Sequence, residues 1–343
     1  MGQTTNWRDL HGDAFKSEQV LITGGAGFIG SHIAEALTTL GAKVVVFDDL
    51  SAGKATNVEP FRTVEFIKGT ILDASAVERA MKGSRYVFHQ AARASVPLSV
   101  EKPAAFYETN VTGTFNVLQA ARANKVERVM FAASSSAYGE SEVLPKVETM
   151  PQQPLSPYAA SKVANEGMMR AWANCYGFDT VSLRYFNIFG PRQTADSAYA
   201  AVIAAFAKAM LMGNPPTING DGEHSRDFTF VHNAVHANLL AARSSKPLKG
   251  EVFNVATARR ITLNHLAKVM CEQLGRPDLK PVRVPPRAGD IKHSLADLTR
   301  IEQTLGYRPI VDFESGLAAT LEWYRSVLPT AAGSAAAATV KTG

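Results

Sequence analysis

The feature that most constrains this chain is a glycine-spaced turn between an apolar run and a helix-patterned stretch. VLIT (residues 20–23) is apolar and largely β-branched, TGGAGFIG runs from Thr23 to Gly30, and IGSHIAEALTTLG keeps helical spacing up to Gly41. The glycines fall at Gly24, Gly27 and Gly30. Gly24 allows a tight turn, Gly27 lets backbone approach a ligand, and Gly30 lets the helix pack closely on the strand. The helix opening at Phe28 and Ile29 offers free N–H groups and a partial positive charge, which suit a pyrophosphate. The spacing is GxxGxxG rather than the general GxGxxG, so the flanking strand and helix carry the assignment.

The alternation continues. KVVVFDD, VEFIKG, RYVFHQAA, RVMFAASS and DTVSLRYFN read as further strands separated by helical stretches, and VFNVAT as one more. Apolar strands alternating with helices imply βαβ units and a parallel sheet covered on both faces. The expected fold is therefore α/β: a Rossmann-type doubly wound parallel sheet with a second, smaller α/β domain. Prolines, short loops and a Gly-Asp-Gly turn mark a change after Pro191. We place residues 18–190 plus 231–260 in the dinucleotide domain and 191–230 plus 261–325 in the smaller one. Residues 1–17 and 329–343 are expected as tails, the first being polar and the second low in complexity.

The net charge of +5 comes from scattered residues, not a basic patch, so no nucleic-acid partner is expected. The two cysteines, Cys175 and Cys271, lack metal-ligand spacing, so no metal is expected, and so few fit a reducing compartment. No apolar run reaches membrane length and the N-terminus lacks a signal-like apolar stretch, which makes the cytoplasm the expected location and a membrane partner unexpected.

Two further groups carry chemistry. Asp48 ends the second strand, where a carboxylate accepts hydrogen bonds from ribose hydroxyls and repels a 2′-phosphate, favouring NAD over NADP. Tyr158 and Lys162 are four apart at the start of a helix, so the ammonium shares a face with the phenol. Free tyrosine titrates near pH 10, and bringing it to about 7 takes roughly 4 kcal/mol of preferential phenolate stabilisation. Lys162 and a positive nicotinamide ring could supply it. A YxxxK spacing alone is weak; the upstream glycines and the Ser134-Ser135-Ser136 run after a strand strengthen it.

TGGAGFIG, SSSAYG, YAASK, RYFNIFGPRQ, INGDGEHSRDF and RAGDIKHSLAD occur in the order seen in extended short-chain dehydrogenases acting on nucleotide sugars. Over about residues 18–325 the chain resembles this family, most closely its UDP-N-acetylglucosamine/UDP-glucose 4-epimerase group. The resemblance implies tightly bound NAD, a UDP-sugar substrate and a homodimer formed through helices near 103–123 and 157–176. It implies catalytic roles for Ser134, Tyr158 and Lys162. It adds Ser51, Ile71, Ala91, Ala92, Asn110 and Tyr185 to the cofactor site. It assigns the substrate to Ser95, Ser135, Ser136, Asn187, Ala201, Val202, Asn219, Arg226, Arg287, Asp290 and Ser294. Guanidinium binds phosphate oxygens in a bidentate way, which agrees with diphosphate roles for Arg226 and Arg287. Thr70 departs from the pattern, since many relatives have Asp there to hold adenine.

Four functions compete. The first is 4-epimerisation of UDP-GlcNAc/UDP-GalNAc, with some UDP-Glc/UDP-Gal. The second, 4,6-dehydration, is disfavoured because Ser135-Ser136 stand where such relatives carry Asp-Glu. The third is 4-epimerisation or decarboxylation of a UDP-uronate such as UDP-glucuronate. The fourth is a non-catalytic NAD-binding sensor, disfavoured by the intact Ser134, Tyr158 and Lys162.

Overall fold

The computed structural model describes residues 5–195, 201–286 and 292–328. Strands β1 (Gln19–Thr23), β2 (Lys43–Asp48), β3 (Glu65–Lys68), β4 (Tyr86–His89), β5 (Arg128–Ser134) and β6 (Asp179–Tyr185) form one parallel sheet. Its seventh strand is β11 (Glu251–Val255), which follows four short strands of the second lobe: β7 (Ile188–Phe189), β8 (Thr217–Asn219), β9 (Ser225–Asp227) and β10 (Thr229–Phe230). The order is β11-β6-β5-β4-β1-β2-β3. All seven expected strands lie in it. β1 pairs with both β2 and β4, so the chain reverses its direction of winding between them, where α/β sheets open a crevice at the strands' carboxyl ends.

Alternate residues of each strand serve opposite faces. Val20 and Ile22 of β1, with Val44 and Val46 of β2, enter one core; Leu21, Val45 and Phe47 enter the other. A strand buried on both sides must be apolar throughout, which is why the runs were legible. After α1 (Trp7–His11), the chain forms α2 (Phe28–Thr39), α3 (Ala74–Met81), α4 (Val96–Glu101), α5 (Pro103–Phe106), a π-helical turn (Tyr107–Thr112) and α6 (Gly113–Ala123). Then come α7 (Pro157–Tyr176), α8 (Val202–Leu211) and α9 (Val231–Ala242). α2 and α9 line the first core; α3, α6 and α7 line the second.

Residues 5–17 correct one expectation. They are not a tail: Trp7, His11 and Phe15 are buried in the first core, and His11 Nε2 lies 3.0 Å from His236 Nδ1 of α9. Trp7 and His11 share one face of the short α1, which ends at Gly12 (φ +56°), and the turns after it bring Phe15 to the same core.

The smaller lobe has its own core, joining Phe189, α8, Phe228, Phe230, α10 (Leu263–Leu274) and, after α11 (Thr299–Leu305), α12 (Phe313–Val327). Strands β12 (Arg260–Thr262) and β13 (Val282–Val284) pair with β9 and β8. Residues 261–325 do not all belong to this lobe. Ile301 and Tyr307 pack in the first core of the large sheet, so the chain returns there before α12.

Candidate active site

The turn after β1 is built as the glycine spacing implies. Gly24 has φ +69°, and a Cβ there would come within 2.6 Å of the Ala91 nitrogen; one on Gly30 would strike the Gly24 oxygen at 2.2 Å. A Cβ on Gly27 would meet only the Gly24 oxygen, at 3.1 Å, so its outer side is open for a ligand. The first-turn N–H groups of α2, at Phe28, Ile29 and Gly30, have no acceptor within the helix. Gly25 is a residue that the spacing argument passed over: a Cβ would collide with Val46 at 2.8 Å, and the adjacent glycines of TGGAG were the available signal.

Asp48 fixes this turn to β2. One carboxylate oxygen accepts from the Ala26 N–H (3.0 Å) and the other from the Leu50 N–H (2.8 Å). Burial raises its pKa, while these backbone donors pull it back. Remaining lone pairs at the strand end are available to ribose hydroxyls. Asn57 and Lys54 also bond the Ala26 carbonyl, closing the far side of the turn. Ser51 is exposed in the loop after Asp49. The Ile71 side chain is buried against Gly113 and its carbonyl accepts from Asn116, so it belongs to the core more than to a ligand surface. Thr70 turns the chain, its hydroxyl accepting from Leu72 N–H at 3.3 Å.

Ala91 and Ala92 continue from β4 beside Gly24. Asn110 holds this segment rather than projecting from it: its amide bonds the Arg93 N–H (2.8 Å), the Arg93 carbonyl (3.1 Å) and the Ser161 hydroxyl (2.9 Å). Tyr185, at the end of β6, donates to Gln90 (3.2 Å) and accepts from Asn238 (2.6 Å), and burial pushes its phenol up to about 12. His89, which sequence reasoning missed, is a lone polar residue in an apolar strand. The Thr114 hydroxyl donates to the Asn110 carbonyl (2.6 Å), so it accepts from His89 Nε2–H (2.9 Å), and Nδ1 accepts from Thr23 (2.7 Å). Burial lowers the pKa of His89 to about 3, keeping the ring neutral.

The proton-transfer groups converge from β5 and α7. Ser134 ends β5, and a 3-10 turn over Ser135–Tyr138 folds back on it: the Ser136 N–H (3.2 Å) and hydroxyl (2.9 Å) both donate to Ser134 Oγ. Ser156 caps α7 and Pro157 takes its first position, which starts the helix one residue before Tyr158. Burial raises the Tyr158 pKa, while the nearby Ser134 hydroxyl opposes that rise. Lys162, one turn on, donates to the Ala132 carbonyl (2.7 Å), with its ammonium 4.8 Å from the Phe131 ring centre and 5.9 Å from that of Tyr158. Burial brings Lys162 down to about 7, with the Glu166 carboxylate pulling it up. A group titrating there can hold a positive charge beside the phenol at neutral pH and favour its ionisation.

The second lobe adds a polar cluster at the same end of the sheet. Asn187, in a left-handed conformation (φ +38°), donates to Ser294 Oγ (3.2 Å) and to the Asp227 carbonyl (3.3 Å). Ser294 Oγ also accepts from Asp227 N–H (3.3 Å). Arg226 precedes Asp227 on β9 and donates to the Ser225 carbonyl (3.1 Å). The structure thus links Asn187, Arg226 and Ser294. It does not join the rest to them. Ser95 caps α4 by accepting from Leu98 N–H (3.3 Å), Ala201 and Val202 open α8, and Asn219 ends β8 beside Val284. Arg287 and Asp290 lie outside the described residues.

Residues 20–256 match the NAD dependent epimerase/dehydratase family. A UDP-N-acetylglucosamine 4-epimerase from Methanobrevibacter ruminantium M1, solved with UDP-N-acetylmuramic acid, is 41% identical, with a TM-score of 0.86 over 91% of this chain and 99% of that one. UDP-glucose 4-epimerase of Thermus thermophilus, solved with NAD, is 37% identical, with a TM-score of 0.81 over 90% of this chain and 100% of that one. The UDP-glucose 4-epimerase of Mycolicibacterium smegmatis is 37% identical over 313 residues, 90% of this chain and 99% of that protein. The chain belongs to the NAD-dependent epimerase/dehydratase family. It is an enzyme with NAD as cofactor, and the open face at Gly27, the α2 N-terminus and the Asp48 carboxylate fit that group.

Proposed function

We propose that this enzyme interconverts UDP-GlcNAc and UDP-GalNAc by inverting C4, with some activity on UDP-glucose and UDP-galactose. The observation that carries epimerisation is the Ser134–Tyr158–Lys162 set beside the dinucleotide cradle, its lysine buried and its serine and tyrosine half-buried, with serines at 135 and 136 in place of acids. When bound, NAD supplies a hydride acceptor for C4 and returns the hydride. Tyr158, as phenolate, takes the C4-hydroxyl proton, and Ser134 hydrogen-bonds the same oxygen. Lys162 holds positive charge near the phenol. Arg226 binds the diphosphate, with Arg287 beside it and Asp290 on the uridine ribose. The 4-keto sugar turns over while its nucleotide stays fixed, and Tyr158 returns the proton.

The small side chain at Ser294 supports the N-acetyl substrates, because a large residue at that position would fill the space of a C2 substituent. No acid at 135–136 is available to expel water from C6, which disfavours dehydration. We also propose a homodimer packed through the helices near 103–123 and 157–176, which expose Tyr107, Phe115 and Tyr176. Incubating purified protein with UDP-GlcNAc, UDP-galactose and UDP-glucuronate separately, then resolving the products, tests the reading. Conversion of UDP-GlcNAc to UDP-GalNAc is expected; turnover of the uronate alone would replace this reading.

A further inference from the structure

A buried charge pair lies one turn beyond Lys162. Glu166 of α7 accepts from Arg184 of β6 at 2.8 Å and 2.7 Å, and Gln152 donates to the same carboxylate at 2.6 Å. The two side chains are only 2% and 3% exposed. Such pairs are weak stabilisers, because desolvation offsets their attraction and apolar replacements are often neutral or better. Their position suggests a different use. The Arg184 guanidinium sits 4.6 Å over the ring of Tyr138, whose hydroxyl donates to Asn254 at 2.6 Å. Tyr138 ends the turn that carries Ser135 and Ser136. The pair therefore ties the helix bearing Tyr158 and Lys162 to the serine turn.

The same pair faces a charge problem. Lys162 is buried, and among the described residues no carboxylate forms a direct ion pair with it. Titratable groups acting around it are Tyr158 and Glu166 from its own helix and His89 from β4, with Arg184 of β6 behind Glu166. His89 and Tyr158 bring no negative charge while neutral, which leaves Glu166.

We propose that Glu166 and Arg184 are a positioning pair for Lys162: Glu166 supplies the negative charge that keeps the ammonium formed beside Tyr158, and Arg184 holds that carboxylate and the serine turn in place. The inference rests on reading Lys162 as the partner of Tyr158. Removing Glu166 alone leaves Arg184 as an unpaired buried cation, which disfavours the ammonium twice over. Removing Arg184 alone leaves an unpaired carboxylate, which favours it. The two substitutions therefore act in opposite directions, whereas a merely structural role would lower stability or turnover without moving the lysine's titration.

The test uses the full chain saturated with NAD and needs no sugar, so a wrong substrate assignment does not disturb it. Unfolding is measured from about pH 5 to 10, a range covering both buried and free lysine. Each background is compared with and without Lys162→Met, and the difference isolates the Lys162 titration. Glu166→Gln should lower its midpoint by about one pH unit or more, the effect of losing a nearby opposite charge. Arg184→Gln should raise it, and the double variant should return close to the parent. Equal midpoints, or shifts of the same sign in both single variants, would overturn the proposal. If Glu166→Gln does not fold, Glu166→Asp, which keeps the charge but draws it back, should still lower the midpoint by a smaller amount; an unchanged midpoint there overturns the proposal equally.

Discussion

Lys162→Met should make this protein more stable at neutral pH while removing its activity. A free lysine titrates near 10.5 and Lys162 near 7, because its ammonium is desolvated. The gap, about 3.5 pH units, corresponds to about 5 kcal/mol of folding free energy. The sign follows from proton binding. Below pH 7 both folded and unfolded lysines are charged, and the folded state bears the whole cost of the buried charge. Between pH 7 and 10.5 the unfolded state binds more protons, so wild-type stability rises, and above 10.5 the cost is gone. Methionine removes this cost but leaves the Ala132 carbonyl, now bonded at 2.7 Å, without a partner. That loss is about 1–3 kcal/mol. The variant should gain about 2–4 kcal/mol at pH 6–7 and lose the advantage by about pH 10. Urea unfolding at several pH values, with both proteins in the same NAD concentration, reads the difference directly. A variant less stable at pH 6, or one whose difference is constant with pH, would refute the buried-ammonium argument.

Tyr158→Phe keeps the ring packed against Phe106 but removes the proton acceptor, and kcat should fall at least about a hundredfold. Asp48→Ala should weaken NAD binding by about tenfold or more and narrow its preference over NADP, as read by calorimetry, since charged hydrogen bonds contribute about 1.5–3 kcal/mol. Ser294→Tyr should cut turnover of UDP-GlcNAc by about tenfold or more while sparing UDP-galactose, since overfilling a formed pocket costs about 1–3 kcal/mol. Ser294→Ala, which loses the bonds to Asn187 and Asp227 without adding bulk, should not change that ratio.

The sheet was legible because strands buried on both faces leave uninterrupted apolar runs, and VLIT, KVVVFD and YVFH are such runs. The glycine turn was legible because each glycine answers a local steric demand. Residues 5–17 misled, because Trp7, His11 and Phe15 are few among polar neighbours and the turns after α1 that carry Phe15 into the core leave no periodic pattern. The return of residues near Ile301 and Tyr307 to the large core was hidden for another reason: local pattern shows that a face is apolar, not which core receives it. At the site, Tyr158 and Lys162 were visible through a four-residue spacing within one helix. The Glu166–Arg184 pair joins residues eighteen apart on different elements, and nothing local connects them. The family resemblance assigned Asn110 to the cofactor site; that its amide also braces Arg93 and Ser161 is a role that only tertiary contacts define.

The proposed mechanism requires that the hydrogen at C4 leaves and returns as hydride while Tyr158 handles only the hydroxyl proton. UDP-GlcNAc carrying deuterium at C4 can be followed through the reaction in ordinary water, with the product examined by NMR. Hydride transfer predicts UDP-GalNAc with its deuterium still at C4. Loss of that label to solvent would show that C4 is deprotonated rather than oxidised, and would contradict the mechanism.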